Sequence, residues 1–192
     1  MKYQPLVQRL FRGSMMAGLA LVLLYGVGHA QFFDEKKPID YEKLFKESLR
    51  RNGKFLNLSG KKIGDEGMKH LVGQEWLKKV TKLELRYNKI TEQGVRMLAA
   101  SPSLPNLKTL ILRHNFLGDS GAIILAQSKS FPNLVELQLG WNEIRDAGAL
   151  AFAETKTFPK LQKLDLRGNF LADKTKNELK SSLGNLKSLK LF

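Results

Sequence analysis

The sequence predicts an α/β solenoid in which parallel strands form one face and helices form the other. Three observations predict it: a twelve-residue pattern recurs, its copies are spaced 27 residues apart, and each copy passes from strand to helix periodicity. A period of this length is typical of stacked repeats, which bury an apolar core only against their neighbours. The copies are LNLSGKKIGDEG at 56–67, LELRYNKITEQG at 83–94, LILRHNFLGDSG at 110–121, LQLGWNEIRDAG at 137–148 and LDLRGNFLADKT at 164–175.

Each repeat opens with a short strand. In the second copy, Leu83 and Leu85 alternate with Glu84 and Arg86, so the leucines face one side and the polar residues face the other. The strand ends at an asparagine that recurs at the same place. A short polar side chain there can turn inward and satisfy backbone groups at the bend. We therefore predict a structural asparagine ladder made of Asn88, Asn115, Asn142 and Asn169.

The second half of each repeat predicts a helix. A glycine is followed one turn later by an apolar residue, and Thr91, Asp119 and Asp146 precede it as N-caps or first-turn residues. The glycine allows the start of the helix to approach the neighbouring repeat closely. Proline-containing segments, such as Leu104–Leu107, then end the helix and lead into the next strand.

The pattern L-x-x-L-x-L-x-x-N-x-L-x-x-x-G-x-x-x-L resembles the leucine-rich repeat, specifically the long-repeat subtype of the ribonuclease inhibitor. The resemblance covers about residues 54–192. Two departures are that cysteine never occupies the asparagine position and that the repeats are few. The resemblance implies a leucine-rich repeat solenoid, a short horseshoe segment with strands on its concave face, helices on its convex face and a binding role.

The N-terminal residues 1–30 predict a signal peptide. Three basic residues precede the apolar run Met15–Val27, and Gly28-His29-Ala30 offers small residues for cleavage after Ala30. The alternative is an uncleaved anchor in the inner membrane formed by residues 13–28. Together with the absence of cysteine, these features indicate a bacterial exported protein, either periplasmic or secreted.

Residues 31–53 predict a linker and an N-terminal capping helix. The helix is expected to begin at Pro38, with Asp40 and Glu42 early and Arg50 and Arg51 late, matching the helix dipole. Residues 54–192 then form the leucine-rich repeat domain, with five 27-residue repeats and a terminal half repeat. The half repeat carries Leu186, Leu189 and Leu191 and ends in an open sheet edge.

The candidate partner-binding residues occupy the outward strand positions and the position before each asparagine. Exposed tryptophan, tyrosine and arginine are the residue types most enriched at binding hot spots. Across the repeats these positions form three columns, of which the last two place three arginines beside three rings. The candidates on the predicted concave face are Arg86, Tyr87, Arg113, His114, Gln138, Trp141, Asp165 and Arg167.

The charge favours an acidic partner. The formal net charge is +14, and removal of residues 1–30 leaves 29 basic against 18 acidic residues, a net charge of +11. A basic surface attracts acidic proteins, glycans, membranes or nucleic acid. It argues against an inhibitor of basic ribonucleases. We expect a protein partner with an acidic surface, no small-molecule substrate, no nucleic acid, and membrane contact only through an uncleaved N-terminal segment.

The sequence predicts no enzyme, no cofactor and no metal site. The chain has no cysteine, and His114 has no serine and carboxylate nearby to complete a nucleophile and base. Two functions remain. The first is an exported, non-enzymatic protein-binding module whose partner docks on the concave face. The alternative is an envelope-associated basic protein that binds anionic glycan, lipid or another polyanion.

Overall fold

The computed structural model describes residues 38–102 and 104–192. The chain divides into two compact units, Met1–Ile39 and Asp40–Phe192, and the fold described here is that of the second. The predicted signal peptide, the alternative membrane anchor and the linker at 31–37 lie outside the described residues. Among the helices of the described part, none is long and apolar enough to cross a membrane.

Strands and helices alternate along the second unit. The strands are β1 (Leu49–Arg50), β2 (Phe55–Asn57), β3 (Lys82–Glu84), β4 (Thr109–Ile111), β5 (Glu136–Gln138), β6 (Lys163–Asp165) and β7 (Ser188–Lys190). The helices are α1 (Tyr41–Ser48), α2 (Gly64–Val72), α3 (Glu92–Ala100), α4 (Gly118–Ala126), α5 (Asp146–Glu154) and α6 (Asp173–Ser182), and a 3-10 turn spans Glu75–Lys79.

The sheet follows the order of the chain. Its strands run β1-β2-β3-β4-β5-β6-β7, and every pairing from β2 to β7 is parallel. The register from β2 to β6 is the 27-residue period itself, since Leu83 pairs with Leu110 and Leu110 with Leu137. The predicted α/β solenoid of parallel strands and helices is confirmed.

The alternating leucines build the core between the sheet and the helices. Leu83 and Leu85 are fully buried, together with their equivalents and with helix residues such as Leu98 and Leu125. Burying one such side chain contributes about 2 kcal/mol. Residues between these leucines, such as Glu84, therefore lie on the opposite face of the sheet, which we call the strand face.

The asparagines form the predicted ladder behind the ends of the strands. Asn115 Oδ1 accepts the backbone N–H groups of Asn88 and Ile90, both at 3.0 Å, while its Nδ2 donates to the carbonyls of Leu85 and Leu112. Asn142 makes equivalent donations, but its Oδ1 accepts no hydrogen bond among the described residues. The ladder is therefore continuous in its donors and interrupted in one acceptor.

The N-terminal cap differs from the predicted helix. α1 begins at Tyr41, because Asp40 accepts the Lys43 N–H at 3.0 Å and acts as its N-cap, and it ends at Ser48. Leu49 and Arg50 form β1, antiparallel to β2, and Arg51 lies in the following turn with a φ of 53°. The prediction of Arg50 and Arg51 in the last helical turn was wrong, because this hairpin covers the edge of β2 instead.

Aspartates cap helices in the next repeat rather than their own. Thr91 is an N-cap as predicted, since its hydroxyl accepts the Gln93 N–H. Asp65 accepts the N–H groups of Thr91 and Gly94 across the repeat boundary, at 2.9 and 3.0 Å. A Cβ at Gly94 would lie 2.4 Å from Asp65 Oδ1. The glycine therefore allows the predicted close approach, and Asp119 caps the next helix in the same way at Gly148.

Candidate functional site

The candidate site is built on the residue that precedes each asparagine. Tyr87, His114 and Trp141 have φ values of 55°, 55° and 57°, and Gly60 and Gly168 occupy the same position in the outer repeats, both at 69°. The left-handed region costs a residue with a Cβ roughly 1–2 kcal/mol and costs glycine almost nothing. The turn itself therefore favours glycine, and the three large rings are present in spite of it.

The three rings form a continuous stack. The Tyr87 and His114 centroids are 4.2 Å apart and those of His114 and Trp141 are 4.7 Å apart, each pair inclined by 13°. Gly168 leaves room for the last ring, because a Cβ there would lie 2.4 Å from Trp141 Nε1. Tyr87 remains 54% exposed and Trp141 38% exposed. Both faces of the middle ring, His114, are covered by its neighbours.

Two of the three arginines beside the stack are neutralised by carboxylates of their own repeats. Arg86 donates through Nε to Glu84 Oε1 at 2.7 Å, and Arg167 donates through Nη2 to Asp165 Oδ2 at 2.7 Å. Both carboxylates are buried, Glu84 at 3% and Asp165 at 6% exposure. Burial works to raise the pKa of Asp165, but the hydrogen bonds from Arg167 outweigh it and lower that pKa.

Arg113 lies in the same column and has no such carboxylate. The residue two positions before it is the buried Ile111, and its Nε is buried without a hydrogen-bond partner in the described part of the chain. Its guanidinium carbon lies 4.6 Å from the centre of the Trp141 ring, within the range of a cation–π contact. Gly140 continues the column on the next strand and leaves the space beside Arg113 without a side chain.

The pKa of His114 is lowered from its ordinary value of 6.5. Burial is the main cause, followed by the positive charges of Arg113 and Arg86. The imidazole in the middle of the stack is therefore neutral at pH 7. A neutral ring can both donate and accept a hydrogen bond through its two nitrogens.

The remaining predicted residue, Gln138, lies on β5 and is separate from the stack. Its Nε2 donates to Glu136 Oε1 at 2.6 Å, and both side chains line a shallow groove of about 150 Å³ that Lys163, Asp165, Ser188 and Lys190 complete. The structure thus brings together Tyr87, His114 and Trp141 with the arginines, while Gln138 lines the neighbouring strand face.

The family follows from this repeat geometry and from a comparison of sequences. A family model described as Leucine Rich repeat matches residues 77–99, 103–126 and 132–153. The chain is a leucine-rich repeat protein. Its similarity to the ribonuclease inhibitor subtype in particular stays a prediction.

The other comparisons add little to this leucine-rich repeat assignment. Among solved structures, the chain titled Leiomodin-1 Actin-Binding Site 2 (ABS2) aligns with 16% identity and a TM-score of 0.44, covering 81% of this chain and 80% of that one. A similarity of this size does not bear on function. No curated protein matches the chain.

Leucine-rich repeats form scaffolds for protein interaction, and this repeat stack is such a scaffold. Over the described residues, no group of three or more histidine, aspartate or glutamate side chains could hold a metal ion. Two carboxylates of the strand face are engaged by arginines, Glu84 by Arg86 and Asp165 by Arg167, and that of Glu136 accepts a hydrogen bond from Gln138. The site offers rings, guanidinium groups and one neutral imidazole for binding.

Sequence reasoning missed two exposed phenylalanines in the leucine-rich repeat turns. Phe116 and Phe170 follow the asparagine in the third and fifth repeats and are 51% and 58% exposed. The Arg145 guanidinium lies 5.3 Å from the Phe170 ring centre. The signal was present in the repeated N-F-L of these two copies, where other repeats carry Lys89 or Glu143. An apolar residue at a turn position that is polar elsewhere marks an exposed ring.

Proposed function

We propose that the protein is an exported leucine-rich repeat module that binds a protein partner through the stack of Tyr87, His114 and Trp141 and the arginines beside it. The observation that carries this proposal is the exposed stack itself. Large rings occupy the same turn position in three consecutive repeats, where glycine would be less strained, and they leave their edges open to solvent. Packing of the core does not require them there.

The stack is suited to tight binding because it is already ordered. Each ring is fixed by its neighbour, with centroids 4.2 or 4.7 Å apart. These side chains therefore lose less conformational entropy when a partner binds than three separate rings would. Tryptophan, tyrosine and arginine are also the residues that most often dominate binding energy. The surface therefore combines rigidity with the preferred residue types.

The same geometry favours an acidic protein surface. Because the rings stack on one another, a partner meets their edges, and the edge of an aromatic ring carries the positive part of its quadrupole. Arg113 adds a positive charge that no carboxylate of the described residues pairs with, and the chain as a whole has a formal charge of +14. Acidic side chains match both features.

Capture with variants tests the proposed surface. The full chain, a Trp141→Ala variant and a control with Lys78→Ala and Lys79→Ala would be used to capture proteins at low and high salt. The control changes two exposed cations of the 3-10 turn, away from the stack. We expect one protein to be retained in high salt by the full chain and by the control, and to be lost from Trp141→Ala.

Two other outcomes would contradict the proposal. Capture that survives Trp141→Ala would remove the stack from the interface. Capture that disappears with salt and with the lysine substitutions would favour the alternative of a basic envelope protein holding anionic glycan or lipid, because exposed charge pairs are screened by salt.

The proposed export has its own test. We propose cleavage after Ala30 and release into the periplasm or the medium, which N-terminal sequencing of the protein made by its own host would detect as a chain that begins at Gln31. A chain that keeps residues 1–30 and sediments with the inner membrane would instead favour the anchor at 13–28.

A further inference from the structure

In the column of Arg86, Arg113 and Arg167 on the strand face, the charge of Arg113 is left unpaired among the described residues. The second, third and fifth repeats read ELR, ILR and DLR at this place, so that Arg86 and Arg167 each follow a carboxylate by two residues and Arg113 follows Ile111. Arg86 makes two hydrogen bonds to Glu84, at 2.7 and 3.1 Å, and Arg167 makes two side-chain bonds to Asp165, at 3.0 and 2.7 Å. Arg113 makes no ion pair with any described residue.

One carboxylate near Arg113, that of Asp165, is already occupied. A Cβ at Gly140 would lie 3.7 Å from Arg113 Nε and 3.7 Å from Asp165 Oδ1, which places this carboxylate across the missing side chain of Gly140. Both oxygens of Asp165 accept hydrogen bonds from Arg167, and Gln138 is bonded to Glu136. Asp165 therefore softens the charge of Arg113 at a distance but gives it no hydrogen bond.

The guanidinium is nevertheless held in place. It lies over the Trp141 ring at 4.6 Å, and that ring is fixed between His114 and Gly168. The Nε of this guanidinium is buried while the side chain as a whole is partly exposed, so its terminal nitrogens are the donors that can meet a carboxylate through two parallel hydrogen bonds. The site thus has an oriented cation, no side chain at Gly140, and two other repeats of the same sheet, the second and the fifth, in which the equivalent arginine is paired with a carboxylate.

We propose that Arg113 is the anchor for an aspartate or glutamate side chain from an acidic segment of the protein partner. This inference rests on the proposed function and names the chemistry recognised at its centre. The bound carboxylate does for Arg113 what Glu84 does for Arg86 and Asp165 does for Arg167, but it reaches the guanidinium from outside, because Ile111 fills the equivalent strand position. The fold supplies this carboxylate in two repeats and leaves it to the partner in the third.

The decisive variant supplies the carboxylate from within the chain. Ile111→Glu places a glutamate where Glu84 stands one strand away, since Ile111 pairs with Glu84 in the sheet register. The new carboxylate would pair with Arg113 and compete with the partner. Ile111→Gln is the matched control, because it has the same size without the charge and Gln138 occupies the equivalent place on the next strand.

The probe is a hexaglutamate peptide with blocked ends, titrated into the ¹⁵N-labelled full chain while the arginine Nε–Hε resonances are followed by NMR. We expect a saturating shift of the Arg113 signal and much smaller shifts for Arg86 and Arg167. Ile111→Glu should weaken peptide affinity about tenfold or more, as expected for the loss of hydrogen bonds to a charged group, whereas Ile111→Gln should keep it. If Ile111→Glu fails to fold, Arg113→Gln replaces it in the test and should weaken peptide affinity in the same way.

Four results would overturn the inference. Equal shifts of all three arginines would indicate a diffuse basic surface. Unchanged affinity in both Ile111→Glu and Arg113→Gln would remove Arg113 from the site. Inorganic phosphate that shifts the Arg113 signal as tightly as the peptide would indicate a small-anion site. A partner captured in a Trp141-dependent manner but indifferent to Ile111→Glu would sink this inference alone and leave the proposed function standing.

Discussion

Two neighbouring positions of the repeated turn, each forming a column across the repeats, point their side chains in opposite directions. The asparagine column, at Asn88, Asn115 and Asn142, points inward, is buried, and bonds to the backbone of adjacent repeats. The column one residue earlier, at Tyr87, His114 and Trp141, points outward and stacks ring on ring. One peptide bond separates a position that serves the scaffold from a position that is free to serve a partner.

The difference shows how a repeat divides its duties. An inward position must satisfy buried backbone groups that no water reaches, so the side chain is fixed by the cost of leaving them unpaired. An outward position has no such duty, and glycine fills it in two of the five repeats. Rings at an outward, strained position therefore need an explanation in binding, whereas asparagines at the inward position do not.

The largest effect is expected inside the ladder. Asn115→Ala should lower the free energy of unfolding by about 3 kcal/mol, because it leaves two backbone N–H groups and two carbonyls without their side-chain partner. Asn142→Ala should cost about 1 kcal/mol less, since its Oδ1 accepts no hydrogen bond from the described residues. Urea denaturation followed by circular dichroism measures both.

This pair of variants also tests the ladder itself. Equal losses in Asn115→Ala and Asn142→Ala would mean that the acceptor side contributes little. A loss at either site below that of an ordinary surface substitution would contradict the structural role given to the inward column.

A smaller effect on stability is expected at the outward column. Trp141→Ala should cost only about 1 kcal/mol of unfolding free energy, the value of a stacked aromatic pair, because no hydrogen bond of the core depends on the ring. The same denaturation experiment measures it. A loss as large as that of Asn115→Ala would make the ring structural and would erase the distinction between the two columns.

The smallest effect concerns pH. Because the folded pKa of His114 lies below its ordinary value of 6.5, the unfolded chain takes up this proton first as the pH falls. The contribution of His114 to stability is therefore present above about pH 6.5 and is lost as the pH falls through the folded pKa. NMR titration of the imidazole should show the lowered pKa directly.

Trp141→Ala provides the comparison for this titration. Removing the ring exposes one face of His114, and burial is the main cause of the lowered pKa. The pKa should rise towards 6.5 in that variant. A pKa that stays unchanged would mean that the arginines, and not the stack, set the charge of this histidine.

The outcome at the N-terminus shows where sequence reasoning fails. The apolar spacing of Tyr41, Leu44 and Phe45 predicted a helix, and α1 contains them. Its end was misplaced because Leu49 and Arg50 have no strong strand propensity of their own. They are extended because the free edge of β2 pairs with them, which is a contact between residues that the local pattern does not connect.

The candidate site shows a similar division. The columns read from the repeats place Arg113 beside Trp141, and the structure has them in contact. The sequence also prints ELR, ILR and DLR, from which the lack of a carboxylate before Arg113 could have been noticed. The N-F-L of two repeats likewise indicated the exposed Phe116 and Phe170, whereas the burial of Glu84 and Asp165 needed the packed structure.

The sequence alone determined the 27-residue period, the strand and helix of each repeat, the inward leucines and the asparagine ladder. These follow from local spacing, which fixes the face of a strand or helix on which a residue lies. Only the tertiary structure decided that Asp65 caps the helix of the next repeat, that three rings share one stack and that Arg113 Nε is buried without a hydrogen-bond partner among the described residues. Each of these depends on side-chain directions in neighbouring repeats, which become defined only when the strands are stacked in register.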